Sequence, residues 1–223
     1  MSILESRTGR RPLAALVLLA GLLASHQAAA VVALDSVRGI GNQSYTGALG
    51  MDFDVLAPIA VTHLGAFDSG QDGFGGASIA VGIFDRGTQA LVTGLSASID
   101  SGDGLTGQSR YEDIADIVLG VGQYSIVAHG FGSANPNGNA GSTGSPPTID
   151  DGGGLIQFVG TARFLSAGSL VWPTVIDGGP PNRYDAGTFQ FTAAPQSVPS
   201  PAPLALMLAG LLALRSRRRT RSG

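Results

Sequence analysis

The middle of the chain alternates apolar residues with polar or small ones in short runs. In the stretch MDFDV, Met51, Phe53 and Val55 share one face, and the two aspartates between them share the other. A period of two predicts a β-strand with one face in a core. The same pattern recurs in IAVTHL, SIAVGIF, LVTGLSASI, QYSIVAHGF, LIQFVGTARF and GTFQFT.

Glycine-rich turns separate these runs, and no stretch between residues 31 and 197 combines a helical repeat with helix caps. About eight strands without crossover helices predict an all-β fold, a single antiparallel β-sandwich of jelly-roll type. One hairpin is expected around Asp85-Arg86-Gly87, with Gly87 as the left-handed residue. The segment DIVLGVGQYSIVA favours strand, glycine turn and strand over a helix. Residues 132–154 have almost no apolar content, so we expect a long loop there that is disordered.

The first thirty residues have the layout of a secretory signal peptide. Basic residues precede an apolar stretch over 13–24, and small residues follow it. Ala28 and Ala30 form an A-x-A cleavage site, so we expect a signal helix cut after Ala30, with Ala33 as the second choice. A buried core helix and an N-terminal membrane anchor are the alternatives.

The C-terminal end carries a second apolar run, from Leu204 to Leu214. Eleven helical residues rise roughly 16 Å, about half of the ~30 Å hydrocarbon core of a bilayer. A basic cluster follows and, if the middle of the chain is exported, should stay on the cytoplasmic side and stop transfer. It consists of Arg215, Arg217, Arg218, Arg219 and Arg221.

A motif precedes this short apolar helix: Val198, Pro199, Ser200 and Pro201. Motif, apolar run and arginine cluster together, over 198–223, resemble the PEP-CTERM sorting signal, in which the usual motif has Glu where this chain has Ser200. The resemblance implies processing by an exosortase in a Gram-negative bacterium that makes exopolysaccharide. An ordinary short tail anchor is the alternative.

Residues 45–192 resemble, more weakly, a β-sandwich domain common in PEP-CTERM proteins. The resemblance rests on VTHLGAFDSGQDGF, VGIFDRGTQAL, the glycine-x-tyrosine strand and the closing strand RYDAGTFQFT. It implies no enzymatic activity and no agreed ligand, so it assigns no functional residues.

Charge limits the partners of the predicted domain. Residues 31–197 contain fifteen acidic residues, five arginines and no lysine, a net charge of −10. Such a domain is unsuited to nucleic acid. The chain has no cysteine, which excludes thiol catalysis.

The densest polar cluster is AFDSGQDGFGG, with Asp68 and Asp72 among glycines. Carboxylate oxygens on a tight loop suit Ca²⁺, so calcium is the one cofactor that the pattern suggests. The alternative is a turn that uses Asp and Gly for backbone geometry. His63 and His129 are the only histidines of the predicted domain, too few to indicate a zinc site.

The function expected from these features is that of an exported, non-enzymatic protein of the cell envelope or extracellular matrix. Its precursor would be anchored transiently in the inner membrane, and the product would lie at the cell surface or outside the cell. The partners would be the secretion machinery, an exosortase and exopolysaccharide. A carbohydrate-binding module is one alternative, which would need exposed aromatic residues such as Trp172. A secreted hydrolase is the other, which would need two convergent carboxylates, or a His–Asp pair, in a cleft.

Overall fold

The protein is an all-β antiparallel sandwich in a computed structural model that describes residues 29–141 and 145–195. Ala28, the sorting motif and the C-terminal arginines lie outside the described residues, as do both predicted terminal helices. The strands are β1 (Val31–Val32), β2 (Leu34–Asp35), β3 (Ala48–Val55), β4 (Ile59–Phe67), β5 (Ile79–Asp85), β6 (Leu91–Ile99), β7 (Gly104–Thr106), β8 (Ser109–Leu119), β9 (Gly122–His129), β10 (Gly138–Asn139), β11 (Thr148–Ile149), β12 (Ile156–Leu165), β13 (Val175–Asp177), β14 (Tyr184–Asp185) and β15 (Gly187–Ala193).

Two sheets make up the sandwich. One has five strands in the order β1-β15-β4-β8-β7, and the other has six in the order β13-β12-β3-β9-β5-β6. Two small pairs, β10-β14 and β11-β2, lie beside them. Eight strands have seven residues or more, in agreement with the number predicted. Among the residues that the structure describes, no helix is long and apolar enough to cross a membrane.

The long strands pair in a nested order. β3 pairs with β9, β4 with β8, and β5 with β6, so one half of the chain folds back along the other. The members of this long hairpin alternate between the two sheets, which is the wrapping of a jelly roll. The predicted glycine turn at Gly120 carries the chain from β8 in one sheet to β9 in the other.

The core lies between the two sheets and is rich in phenylalanine. Met51, Phe53 and Val55 are each at most 1% exposed, as their alternation predicts. The ring of Phe53 in one sheet lies 4.9 Å from that of Phe189 in the other. Burial of each such side chain contributes roughly 1.5–3 kcal/mol to stability. The apolar face of β3 therefore determines which side of the strand points into the core.

The β5–β6 hairpin forms as predicted, but its left-handed residue is not Gly87. Gln89 has the positive φ, at 59°. The side chain of Asp85 accepts hydrogen bonds from the Thr88 amide at 2.7 Å and from its hydroxyl at 3.0 Å. These bonds close the first turn of the loop, so the reversal falls two residues later than the glycine suggested.

The segment from 132 to 154 contains strands in its described parts and does not match the disorder expected from its composition. β10 pairs with β14, and β11 pairs with β2. Asn139 exchanges hydrogen bonds with Asn42: its amide donates to Asn42 Oδ1 at 2.7 Å, and its carbonyl accepts from Asn42 Nδ2 at 2.9 Å. Asparagine side chains that bind backbone groups supply here the order that apolar residues supply elsewhere.

Candidate functional site

Asp68, a predicted calcium ligand, is fully buried at the end of β4 and pairs with Arg110. Arg110 Nε donates to Asp68 Oδ2 at 2.6 Å, and the Gly73 amide donates to both carboxylate oxygens at 3.1 Å. The other guanidinium nitrogens donate to the carbonyls of Asp103 at 3.1 Å and Gln71 at 3.3 Å. The carboxylate therefore closes its own turn and neutralises an arginine.

Asp72, the other predicted ligand, is exposed, unlike Asp68. The loop between them reverses through left-handed residues: φ is 87° at Gly70, 62° at Gln71 and 89° at Gly73. In residues 29–141 and 145–195, no group of three or more His, Asp or Glu side chains is arranged to hold a metal ion. Calcium binding at this loop stays an untested prediction of the residue pattern alone, and the pairing of Asp68 with Arg110 argues against it.

The remaining acidic turns use their carboxylates to fix the backbone. Asp103 Oδ2 accepts from the amide of Asp100 at 2.7 Å. Asp150 Oδ1 accepts from the amide of Gly152 at 2.9 Å, and Asp151 Oδ1 accepts from the amide of Gly153 at 2.9 Å. The bonds of Asp150 and Asp151 are Asx turns, in which the side chain accepts from the amide two residues further on, whereas Asp103 closes its turn from the C-terminal side.

The two histidines of the predicted domain lie in different sheets. The Nδ1 atom of His63 is 2.9 Å from Thr62 Oγ1 on β4, in the five-stranded sheet. His129 ends β9 in the six-stranded sheet, and its Nε2 is 3.2 Å from the carbonyl of Ala167. Each ring contacts its own local partner.

The outer face of the six-stranded sheet carries an ion-pair network that the alternation did not reveal. Asp52 was predicted on the polar face of β3, yet it is only 1% exposed. Arg163 Nε lies 2.9 Å from both of its oxygens, and Arg86 Nη1 lies 3.6 Å from Oδ2. Arg86 also donates to Asp54 at 2.7 Å.

Trp172 covers this network and is not exposed as a sugar-binding platform would be. Its side chain is 9% exposed, and the guanidinium of Arg163 lies 4.8 Å from the centre of its ring. Phe84 packs beside it at 6.3 Å between ring centres. Trp172 therefore contributes to a second, small core outside the sandwich.

A cavity of about 170 Å³ lies beside the start of β3 and has a mixed aromatic and polar lining. The arm before β3, together with β3, β12, β13 and β14, contributes its walls. The residues that line it are Gln43, Tyr45, Leu49, Phe164, Asp177 and Tyr184. This cavity is the candidate binding site of the domain.

The lining residues differ in how far they are buried. Leu49 and Tyr184 are at most 2% exposed and close the inner side. Tyr45, Phe164 and Asp177 are half-buried, so they stand at the mouth. Tyr45 and Phe164 meet edge to face, with ring centres 6.2 Å apart and planes at 85°. This pairing holds the two rings in a preferred geometry.

Asp177 is the charged group of the cavity. Burial alone would raise its pKa, but hydrogen bonds from Tyr184, the Gly179 amide and Arg183 hold the pKa below its ordinary value. The hydroxyl of Tyr184 donates to Oδ2, and Arg183 donates to Oδ1. Burial and this hydrogen bond raise the pKa of Tyr184. At neutral pH the cavity therefore holds an ionised carboxylate beside a neutral phenol.

The walls of the cavity are fixed from behind. Gln43 Oε1 accepts from Asn137 Nδ2 at 2.9 Å, which anchors the arm before β3. Behind β14, Arg38 Nε donates to Asp185 Oδ2 at 2.6 Å, and Ser36 donates to the same oxygen at 2.9 Å. Burial raises the pKa of Asp185 in spite of these bonds.

Little in the chain's residue pattern indicates this site. Tyr45 is more than a hundred positions from Phe164 and Asp177, and the three meet only because β12 pairs with both β3 and β13. The one local signal is the run RYD, in which Tyr184 sits between an arginine and an aspartate.

Comparisons with known proteins add no assignment. No family model matches the chain, and a search of curated proteins finds no significant match.

Proposed function

We propose that this protein is an exported, non-enzymatic module of the cell envelope or extracellular matrix. It is released from a transient inner-membrane anchor by an exosortase and associates with exopolysaccharide. The observation that carries the proposal is the C-terminal order of motif, half-length apolar run and arginine cluster, which begins at Val198. The half-length run suits a segment that is held briefly and then removed.

The boundaries of the folded part support this proposal. β1 begins at Val31, directly after Ala30, and β15 ends at Ala193, before the motif. Cleavage after Ala30 and again near Pro201 would leave every strand of the sandwich in place.

The β1–β15 pair supports it further. Val31 is paired with Phe191, so the first and last strands are neighbours in the five-stranded sheet. The described fold therefore begins and ends at one place in the five-stranded sheet. A domain held by either end would present the same orientation to the membrane.

The test is the intact mass of the protein recovered from cells with an active exosortase and from matched cells that lack it. We expect a chain that begins near Val31 and ends near Pro201 in the first, and one that keeps its C-terminal arginines in the second. Recovery of the arginine-bearing C-terminus from mature protein in exosortase-positive cells would contradict the proposal.

A further inference from the structure

We infer that the cavity bounded by Tyr45, Phe164, Asp177 and Tyr184 binds one neutral sugar ring, such as the terminal hexose of a polysaccharide. The inference rests on the proposed function for where such a polymer would be met. It goes further by assigning the ligand class and the residues that contact it.

The size of the cavity sets the first limit. Its volume of about 170 Å³ is well below the roughly 300–1,000 Å³ of sites for drug-sized ligands. The occupant is therefore about one ring in size. The lining side chains are held by the edge-to-face contact of Tyr45 with Phe164 and by the bond from Asn137 to Gln43. A site fixed in this way loses little side-chain freedom on binding.

The chemistry of the lining sets the second limit. A sugar ring has apolar C–H faces and a rim of hydroxyl groups, and the cavity offers both complements. The rings of Tyr45 and Phe164 at the mouth supply apolar faces. Asp177 Oδ2 accepts one hydrogen bond, from Tyr184, and a carboxylate oxygen has room for a second. The Gln43 side chain accepts through Oε1, so its NH₂ group is the part that can donate to a ligand.

Charge sets the third limit. Asp177 is ionised at neutral pH, and Arg183 already balances it. Each of the five arginines between residues 31 and 195 is paired with an aspartate. The ten other carboxylates of the described residues leave the domain with a net negative charge, which repels an anionic ligand. A neutral sugar meets no such barrier, whereas a uronic acid does.

The test is a titration of the purified full-length protein with D-glucose, D-galactose and D-mannose, in which binding is measured by saturation-transfer difference NMR. A ligand of this size in a small preorganised site should bind with a dissociation constant of roughly millimolar order. D-glucuronate should bind about fivefold more weakly than D-glucose or not at all, because its carboxylate meets the net negative charge of the domain.

Variants locate the site. Tyr45→Ala removes a ring at the mouth, and Asp177→Asn removes the charged acceptor; each should weaken binding about tenfold or more. Asp151→Asn is the matched control, because Asp151 lines a different cavity of about 300 Å³. Circular dichroism checks that each variant is folded. If Asp177→Asn unfolds the protein, Gln43→Ala takes its place.

Three results would overturn the inference. One is the absence of binding for all three hexoses up to about 50 mM. Another is binding that the folded cavity variants leave unchanged, and the third is binding that Asp151→Asn weakens instead. None of these depends on C-terminal processing, so the sugar site and the proposed sorting can fail separately.

Discussion

The Nε atom of Arg110 lies 2.6 Å from Oδ2 of Asp68, and the pair closes the Asp68–Gly73 turn from the inside. The aspartate side chain is 0% exposed and the arginine side chain 14%. Both charges are therefore largely removed from water. For such a buried ion pair, loss of one partner is strongly destabilising because the other charge is left uncompensated.

Removal of one partner should show this cost. We expect Asp68→Ala to lower the free energy of unfolding by about 3–5 kcal/mol, because Arg110 keeps its buried charge without a counter-ion. Asp72→Ala, at an exposed position of the same loop, should change it by at most about 0.5 kcal/mol. Urea unfolding of both variants measures the difference, and equal effects would contradict a structural role for the pair.

The same contact bears on calcium. Because Arg110 already neutralises Asp68, we expect equal melting temperatures in calcium and in EDTA at matched ionic strength. A concentration of about 5 mM CaCl₂ exceeds the dissociation constants of roughly 10⁻⁴–10⁻³ M that extracellular calcium modules have. A rise of several degrees in calcium that Asp72→Asn abolishes would instead establish the ion site that the residue pattern suggested.

Asp177 should make the protein sensitive to acid. Its folded-state pKa is lowered, so its contribution to stability is present above the ordinary pKa of about 4 and is lost as the pH falls through the folded-state value. Between about pH 4 and pH 2, the wild type should lose stability more steeply than Asp177→Asn. Urea unfolding at several pH values measures both slopes, and parallel profiles would refute the assignment.

Asp185 should act in the opposite sense. Burial raises its pKa, so the folded state binds the proton more tightly and gains stability as the pH falls through this raised pKa. Relative to Asp185→Asn, the wild type should therefore gain stability on mild acidification, at pH values above those at which Asp177 titrates. The same unfolding series, in buffers of constant ionic strength, gives this comparison. A wild type that loses stability relative to Asp185→Asn in that range would contradict it.

The arginines after the apolar run should hold the precursor in the membrane. Replacement of Arg217, Arg218 and Arg219 by Ser removes most of the positive charge that keeps the tail on the cytoplasmic side. We expect slower processing and precursor lost from the membrane fraction, measured by pulse-chase labelling and fractionation. Processing of the triple variant at the normal rate and position would show that these arginines play no part.

The sequence predicted the sandwich because its core depends on a local rule. Alternation over five to nine residues states which face of a strand is apolar, and Phe53 and Ile79 are buried accordingly. The same rule failed at Asp52, whose face is covered by Trp172 from a segment more than a hundred residues away. A polar residue gives no local sign that a distant loop will bury it.

The cavity could not be predicted from the sequence, for a related reason. Tyr45 and Phe164 become neighbours through strand register, which the residues around either one do not specify. The left-handed residue of the hairpin was wrongly predicted at Gly87, because the Thr88 amide donates to the Asp85 carboxylate and the reversal falls at Gln89. Turn type and strand register depend on which residues a segment pairs with in the fold. Composition identifies only the residues that can make such contacts.

The pairing of Val31 with Phe191 makes this fold a natural insertion cassette. Facing Cα atoms of adjacent antiparallel strands are about 5 Å apart, a gap that one or two glycines bridge. The sandwich can therefore be spliced into a surface loop of a host protein without forcing the two halves of that loop apart. Equally, its ends can be joined and a new start opened in an exposed turn such as Gly153–Gly154, with the order of strands in both sheets preserved.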